Sequence, residues 1–336
     1  MKVLAPGKLI LSGEHSVVYD KPALAMAVNR YVTASAISQH SPFISFNLSD
    51  LAYEHRFRFT TLRQLKDRIK RKYERFMQGE FKIREVLQKP VELAQFAFML
   101  FLEALNIKLS QGIKIHVESD IPIGCGMGSS AATILSIVYA IAHHVGVDLP
   151  AEVFYRLGLE AENMQHGYSS GLDLRVSLQG GCLYLKEGLI LSRPVPSMTF
   201  YLVNTGTPQT TTGECVAAVA SQFKTSSIWK EFEFVTDKMD QALQANQSQA
   251  VKEMVSENHQ LLVNIGVVPA QVKNFITEIE QVGGAAKICG AGAISGEQAG
   301  VMLVLADDEA HLKKTCEKYH YSLLPVSGEV RGVHVV

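Results

Sequence analysis

Apolar and polar residues alternate along Ile113-Lys-Ile-His-Val-Glu-Ser119, the pattern of a strand with one buried face. Beyond a glycine-rich turn, Ile134, Ile137, Val138, Ile141 and Val145 fall at helical spacing, and Gly146 stops the run. Lys2 to Pro6 starts a strand that breaks at Gly7-Lys8. Ala23–Val28 and Tyr31–Ile37 read as one strand, or as two divided near Asn29-Arg30, and Phe43–Leu48 as another. Leu62–Phe76 is a strongly basic helix: a solvated face, or a surface that attracts an anionic substrate or a partner. Val91–Leu105 is an apolar helix, either core or a subunit interface that would make the chain a homodimer. A helix opens at Asp148-Leu-Pro-Ala-Glu152 and ends near Asn163–Gly167, and Leu174–Leu185 is strand-like. Phe200–Val203 and Val301–Leu305 are apolar strands, and Ile228–Ile279 is helical with a break at Gly266–Pro269.

Composition narrows the class without naming a chemistry. The chain has 336 residues, 47% hydrophobic and 19% charged, enough for two domains sharing one cleft. A formal net charge of −1 gives no bulk field for nucleic acid or anionic membrane. No apolar run reaches a membrane span, and the N-terminus lacks a signal-peptide core. Cys125, Cys182, Cys215, Cys289 and Cys316 are scattered, form no C-x-x-C pair, and suggest neither a disulfide framework nor a zinc site. A reducing, cytoplasmic setting fits this usage.

The candidate chemistry lies in the turn between the strand and helix described first, Pro122-Ile-Gly-Cys-Gly-Met-Gly-Ser-Ser-Ala-Ala132. Gly124, Gly126 and Gly128 let backbone approach a ligand closely, and the following helix start offers unpaired N–H groups suited to phosphate. Ser129 and Ser130 add hydroxyls for phosphate oxygens or magnesium. The loop is not a Walker motif, because no Lys follows the glycines, nor a dinucleotide fingerprint, because Ser129 occupies the third glycine position. Cys125 is either a small residue tolerated in the loop or a thiol activated at a helix N-terminus. His143 and His144, adjacent on a helix, point apart and read as structural. Taken alone, Lys8, Glu160 and Glu162 read as ordinary surface charges, and Asn204–Thr212 as a hydroxyl-rich turn.

P-x-G-x-G-x-G-S-S-A-A resembles the nucleotide loop of the GHMP kinases. Three more segments carry the same resemblance, which is strongest to the mevalonate-kinase branch: Ala5–Ala25, Ala161–Asp173, and Lys287-Ile-Cys-Gly-Ala-Gly292. It implies an α+β fold with an N-terminal ribosomal-protein-S5-like domain, residues 1–190, and a C-terminal ferredoxin-like domain, residues 191–336, the active site lying in the cleft between them. It implies ATP and Mg2+ as cofactors and mevalonate as the phosphate acceptor, a step in isoprenoid-precursor synthesis, with no nucleic-acid or membrane partner. Pro122, Gly124, Gly126, Met127, Gly128, Ser129 and Ser130 would cradle ATP. Ser130 and Glu162 would hold magnesium, with Ser129 the alternative serine; Glu162 is preferred to Glu160 because it stands four residues before His166. Asp173, eleven residues after Glu162, would act on the acceptor hydroxyl with Lys8 beside it. Glu14, His15, Thr205, Gly290, Ala291 and Gly292 would line the acceptor site. Two departures stand out. Arg175 occupies a position where many of these proteins have a small residue, and Ala293-Ile-Ser295 replaces an unbroken glycine run, which should stiffen that loop.

Overall fold

The computed structural model describes residues 1–122 and 126–336. Its first half is built on an eight-stranded sheet. Strand β1 (Val3–Ser12) pairs antiparallel with the long β2 (Ala23–Gln39). The strand does not break at Gly7-Lys8, although the pairing register shifts between Pro6 and Gly7; a side chain at Gly7 would strike Ile121 Cδ1 at 2.9 Å. Nor is β2 divided. The partner of Pro6 is Tyr31 and that of Gly7 is Val28, so Asn29 and Arg30 are taken up as a bulge within one continuous strand.

Strands β3 (Ile44–Leu48) and β4 (Tyr53–Phe57) form a hairpin, followed by α1 (Phe59–Met77) and α2 (Val91–Ala104). Helix α2 is core: every residue from Val91 to Leu102 is buried. Much of the basic face of α1 is engaged in ion pairs: Lys66 and Arg63 with Glu103, Arg68 with Glu92, and Lys70 with Glu160. Strand β5 (Gly112–Ser119) lies between β2 and β3, parallel to β3. Helices α3 (Ser129–His144), α4 (Ala151–His166) and α5 (Leu172–Gln179) follow. Helix α5 corrects the strand expected from Leu174: the alternation Leu174-Arg-Val176-Ser-Leu178 mimics a strand, but the segment packs against β1, α3 and α4 and buries most of its circumference. Strands β6 (Cys182–Lys186) and β7 (Leu189–Arg193) extend the sheet beyond the N-terminal part of β2.

The second sheet opens with β8 (Phe200–Asn204). Helices α6 (Thr212–Phe223), α7 (Ile228–Gln244), α8 (Ser248–Asn264) and α9 (Ala270–Glu280) lead to β9 (Ala285–Ile288) and β10 (Val301–Leu305), and α10 (Glu309–Tyr319) leads to β11 (Ser322–Val326). The break between α7 and α8, at Ala245–Gln247, carries no Gly or Pro and escaped the hydrophobic pattern. The strand order β11-β8-β10-β9, antiparallel throughout, is a ferredoxin-like βαββαβ arrangement. The chain therefore has an α+β fold, and β12 (His334–Val335) returns to pair with β1. A buried polar cluster joins α7 and α8 to β1: Asn258 donates to Ser12 Oγ at 2.8 Å, and Ser12 lies 2.7 Å from Thr236 Oγ1.

Candidate active site

Lys8 sits in mid-β1, where its N–H donates to the Met127 carbonyl at 2.9 Å and ties the strand to the glycine loop. The Met127 side chain is buried in the core, so this residue meets the site through its backbone. Gly128 then caps α3 with φ +69°, a left-handed conformation that glycine adopts without strain. A Cβ there would come within 2.9 Å of Lys8 Cγ and 3.4 Å of Asp173 Oδ2. Glycine thus allows the positive end of α3, with its free N–H groups, to approach a Lys–Asp pair closely. Lys8 Nζ is 3.1 Å from Asp173 Oδ1; the lysine side chain is 5% exposed and the aspartate 29%, so the pair faces outward through its carboxylate. Ser129 and Ser130 are half-buried in the first turn, and Pro122 is half-buried at the loop's start. Gly124 and Cys125 lie outside the described residues.

The two candidate glutamates have opposite surroundings. Glu160 points away and forms an ion pair with Lys70 of α1 at 2.7 Å. Glu162 is buried, accepts a hydrogen bond from Ser169 Oγ at 2.6 Å, and has its pKa pushed up to about 7, by burial first and then by the negative charge of Asp173. Ser130 Oγ lies 3.4 Å from His166 Nε2 at the end of α4. Ser169 and His166 were passed over as chemistry in the sequence; the only cue was their place between Glu162 and Asp173.

The acceptor candidates form a second, deeper group. Glu14 bonds Lys287 Nζ, and both side chains are wholly buried; Lys287 also donates to the Ile288 carbonyl at 3.0 Å. The next residue, His15, takes φ +59°, unusual for a residue with a Cβ, and donates from Nε2 to the Ala291 carbonyl at 2.9 Å. Burial lowers the His15 pKa, which favours the neutral ring that this bond uses. The loop of Gly290, Ala291 and Gly292 reaches the nucleotide loop: a Cβ on Gly126 would stand 3.2 Å from the Cys289 carbonyl. Within the altered stretch, Ala293 N–H donates to Val267 O at 2.9 Å, while Ile294 is 43% exposed. Thr205 is not brought to this group by its hydroxyl, which donates to Gly300 O at 2.9 Å and accepts from Ala299 N–H at 2.8 Å, holding its own loop.

Among the described residues no cluster of three or more His, Cys, Asp or Glu side chains could hold a metal, and no helix is long and apolar enough to cross a membrane. The family model for the GHMP kinases N terminal domain matches residues 92–181, the span that carries the glycine loop, Glu162 and Asp173. The mevalonate kinase of Thermococcus sibiricus is 30% identical over 323 residues, covering 92% of this chain and 90% of that protein. This chain belongs to the GHMP kinase family. The mevalonate kinase of Pyrococcus horikoshii is 31% identical, covering 86% of this GHMP kinase and 84% of the relative. A crystal structure of mevalonate kinase superposes with a TM-score of 0.82 at 23% identity, covering 98% of this chain and 99% of that one; at that identity the likeness speaks for the fold. The matched family span holds one half of the site, while Lys8, Glu14, His15 and Lys287 come from segments outside it that the fold carries back against it.

Proposed function

We propose that this GHMP kinase transfers the γ-phosphoryl group of ATP to the primary hydroxyl of mevalonate, forming 5-phosphomevalonate. The observation that carries the reading is the Lys8–Asp173 pair seated against Gly128 at the start of α3. Phosphoryl transfer asks mainly for positioning and charge neutralisation. The loop from Pro122 to Ser130 cradles the phosphates. Asp173 accepts the hydroxyl proton as the mevalonate oxygen attacks the γ-phosphorus and the bond to the β-phosphate oxygen breaks, releasing ADP. Lys8 balances charge on the transferring oxygens and fixes the Asp173 carboxylate.

Magnesium fits the donor set through hard oxygens. Glu162 is a carboxyl whose pKa is raised by burial and then by the negative charge of Asp173, and a nearby cation opposes both effects. Ser130 and Glu162 would hold the ion, which would neutralise phosphate charge; two protein ligands suit an ion that keeps several waters. On the acceptor side, His15 reaches the substrate and the buried Glu14 acts through it, fixing the backbone from which His15 projects.

The cations of these motifs favour mevalonate over an acceptor that already bears a phosphate at the reacting end. Lys287 is fully buried on Glu14, and Arg175 is engaged by Glu152, leaving Lys8 with its catalytic duty. An unpaired phosphate is costly to bury. The described cysteines, Cys182, Cys215, Cys289 and Cys316, are buried free thiols, in keeping with a cytoplasmic enzyme. An ADP-release assay with mevalonate, phosphomevalonate and galactose tests the reading. Mevalonate-dependent release is expected, and preferential turnover of phosphomevalonate would overturn it.

A further inference from the structure

Arg175 lies on α5, two residues beyond Asp173, and its side chain turns away from the reacting groups toward α4. Its guanidinium forms a two-bond fork with Glu152, Nη1 to Oε2 at 2.8 Å and Nη2 to Oε1 at 3.1 Å. The same group stacks on Tyr155, with the guanidinium carbon 3.4 Å from the ring centroid. Glu152 and Tyr155, three positions apart on α4, share a face of that helix. The Tyr155 hydroxyl in turn presses on Gly171, where a Cβ would stand 2.1 Å away. Gly171, at φ +71°, is the cap from which α5 starts, and its carbonyl accepts the Arg175 N–H at 2.9 Å. Cap, arginine and tyrosine therefore close a ring around the first turn of α5, the turn that holds Asp173.

We propose that Arg175 is a positioning residue for Asp173: by clamping the start of α5 to α4 through Tyr155 and Glu152, it sets the distance of the Asp173 carboxylate from Lys8 and from the Glu162 helix. An α5 of only eight residues has few bonds of its own to hold that register. Arginine is required because a lysine supplies the charge but neither the planar fork nor the stack. A small residue at this position would remove the clamp to α4 and leave α5 to its apolar packing, the Lys8–Asp173 pair and the bond from Val333 N–H to the Ser177 carbonyl. The clamp also keeps Arg175 away from the acceptor, so it is not a phosphate ligand.

The inference rests on Asp173 acting on the acceptor hydroxyl, and the experiment separates the two. Arg175→Met, Arg175→Lys and Glu152→Gln are assayed with mevalonate and ATP, alongside Asp173→Asn, with thermal unfolding of each. Arg175→Met should lose on the order of 10²-fold in kcat, the effect of misplacing a catalytic group by about 1 Å, with KM for both substrates nearly unchanged. Arg175→Lys should recover little of it. Glu152→Gln, which keeps the stack, should stay within a few-fold of the parent. A purely structural arginine would instead lower the melting temperature and leave kcat of the folded fraction intact. That result, or near-parental kcat in Arg175→Lys, overturns the inference while the Asp173 assignment stands. Near-normal turnover by Asp173→Asn would remove the assignment itself. Should Arg175→Met fail to fold, Arg175→Lys and Tyr155→Leu carry the same test, with kcat loss at unchanged KM expected for both.

Discussion

Two lysine–carboxylate pairs start from residues of the same segment, Lys8 and Glu14, and end up in opposite settings. Lys8–Asp173 is open on its acid side, with 29% of the aspartate side chain exposed; Glu14–Lys287 has no exposed surface at all. The open pair can meet a substrate at the start of α3. The buried one joins the turn after β1 to β9, and one oxygen of Glu14 has no hydrogen-bond partner among the described residues. Burial, not residue type, divides chemistry from architecture here. A buried pair recovers little net stability over an apolar substitute, yet losing one partner strands the other charge.

The largest expected effect breaks the open pair. Asp173→Asn should lower turnover by roughly 10²–10⁴-fold, the usual contribution of a general base, while its urea midpoint stays near that of the parent. Breaking the buried pair should do the reverse. Lys287→Met should cost about 3–5 kcal/mol of stability in urea unfolding, and adding Glu14→Gln should restore much of it. If Lys287→Met proves as stable as the parent, the buried pair is not the anchor described.

That contrast also marks what the sequence could reveal. Strand β5, the glycine loop and α3 were legible because the period changes from two to 3.6 across a run of glycines. Lys8, Glu162 and Asp173 were singled out by the resemblance to the GHMP kinases, not by the residues taken alone. Their surroundings were not legible, because these are set by distant segments: Lys70 of α1 draws Glu160 outward, and Lys287 of β9 closes over Glu14. Nor did the sequence show that Lys287 and Arg175 are already engaged by Glu14 and Glu152. Helix α5 was misread because a short helix buried on most sides shows no single apolar face. Gly7 was read as a break although a strand tolerates glycine where another side chain, here Ile121, occupies the space.

A smaller effect lies in the pH dependence of stability. The Glu162 pKa is raised to about 7 in the folded state, against about 4.3 for an unperturbed glutamate. Its contribution is fully present below the unfolded value and is lost as pH rises through 7. His259, buried in α8 near Lys287, has its pKa lowered from 6.5 to about 4, so its contribution is present above 6.5 and is lost as pH falls through 4. Between these limits the two slopes oppose. Glu162→Gln should leave a melting temperature that climbs from pH 4.5 to 6.5, and His259→Gln one that declines from pH 5 to 7.5. Identical pH profiles for the two variants would mean that neither group titrates as its surroundings dictate. Magnesium and ATP together should flatten the decline seen in His259→Gln, because ligation offsets the charge on Glu162.

The smallest effect concerns the loop that bears the Ala291 carbonyl. His15 projects from a strained backbone onto that carbonyl, so the acceptor contact depends on the loop staying in place. Ala293 anchors it through the bond to Val267 and is buried, whereas Ile294 is partly exposed beside a shallow cavity lined by Val219, Phe223 and Ile265. Glycine at Ala293 restores freedom to the chain and weakens the anchor, at a cost of about 0.5–1 kcal/mol. Ala293→Gly should therefore raise KM for mevalonate a few-fold and leave KM for ATP alone, as His15→Ala should do more strongly. Ile294→Gly should change less, since its side chain points toward the cavity and not toward His15. If Ala293→Gly is kinetically silent while His15→Ala is not, the histidine holds its position without the loop. The strain at φ +59° would then be maintained by the buried Glu14–Lys287 pair alone.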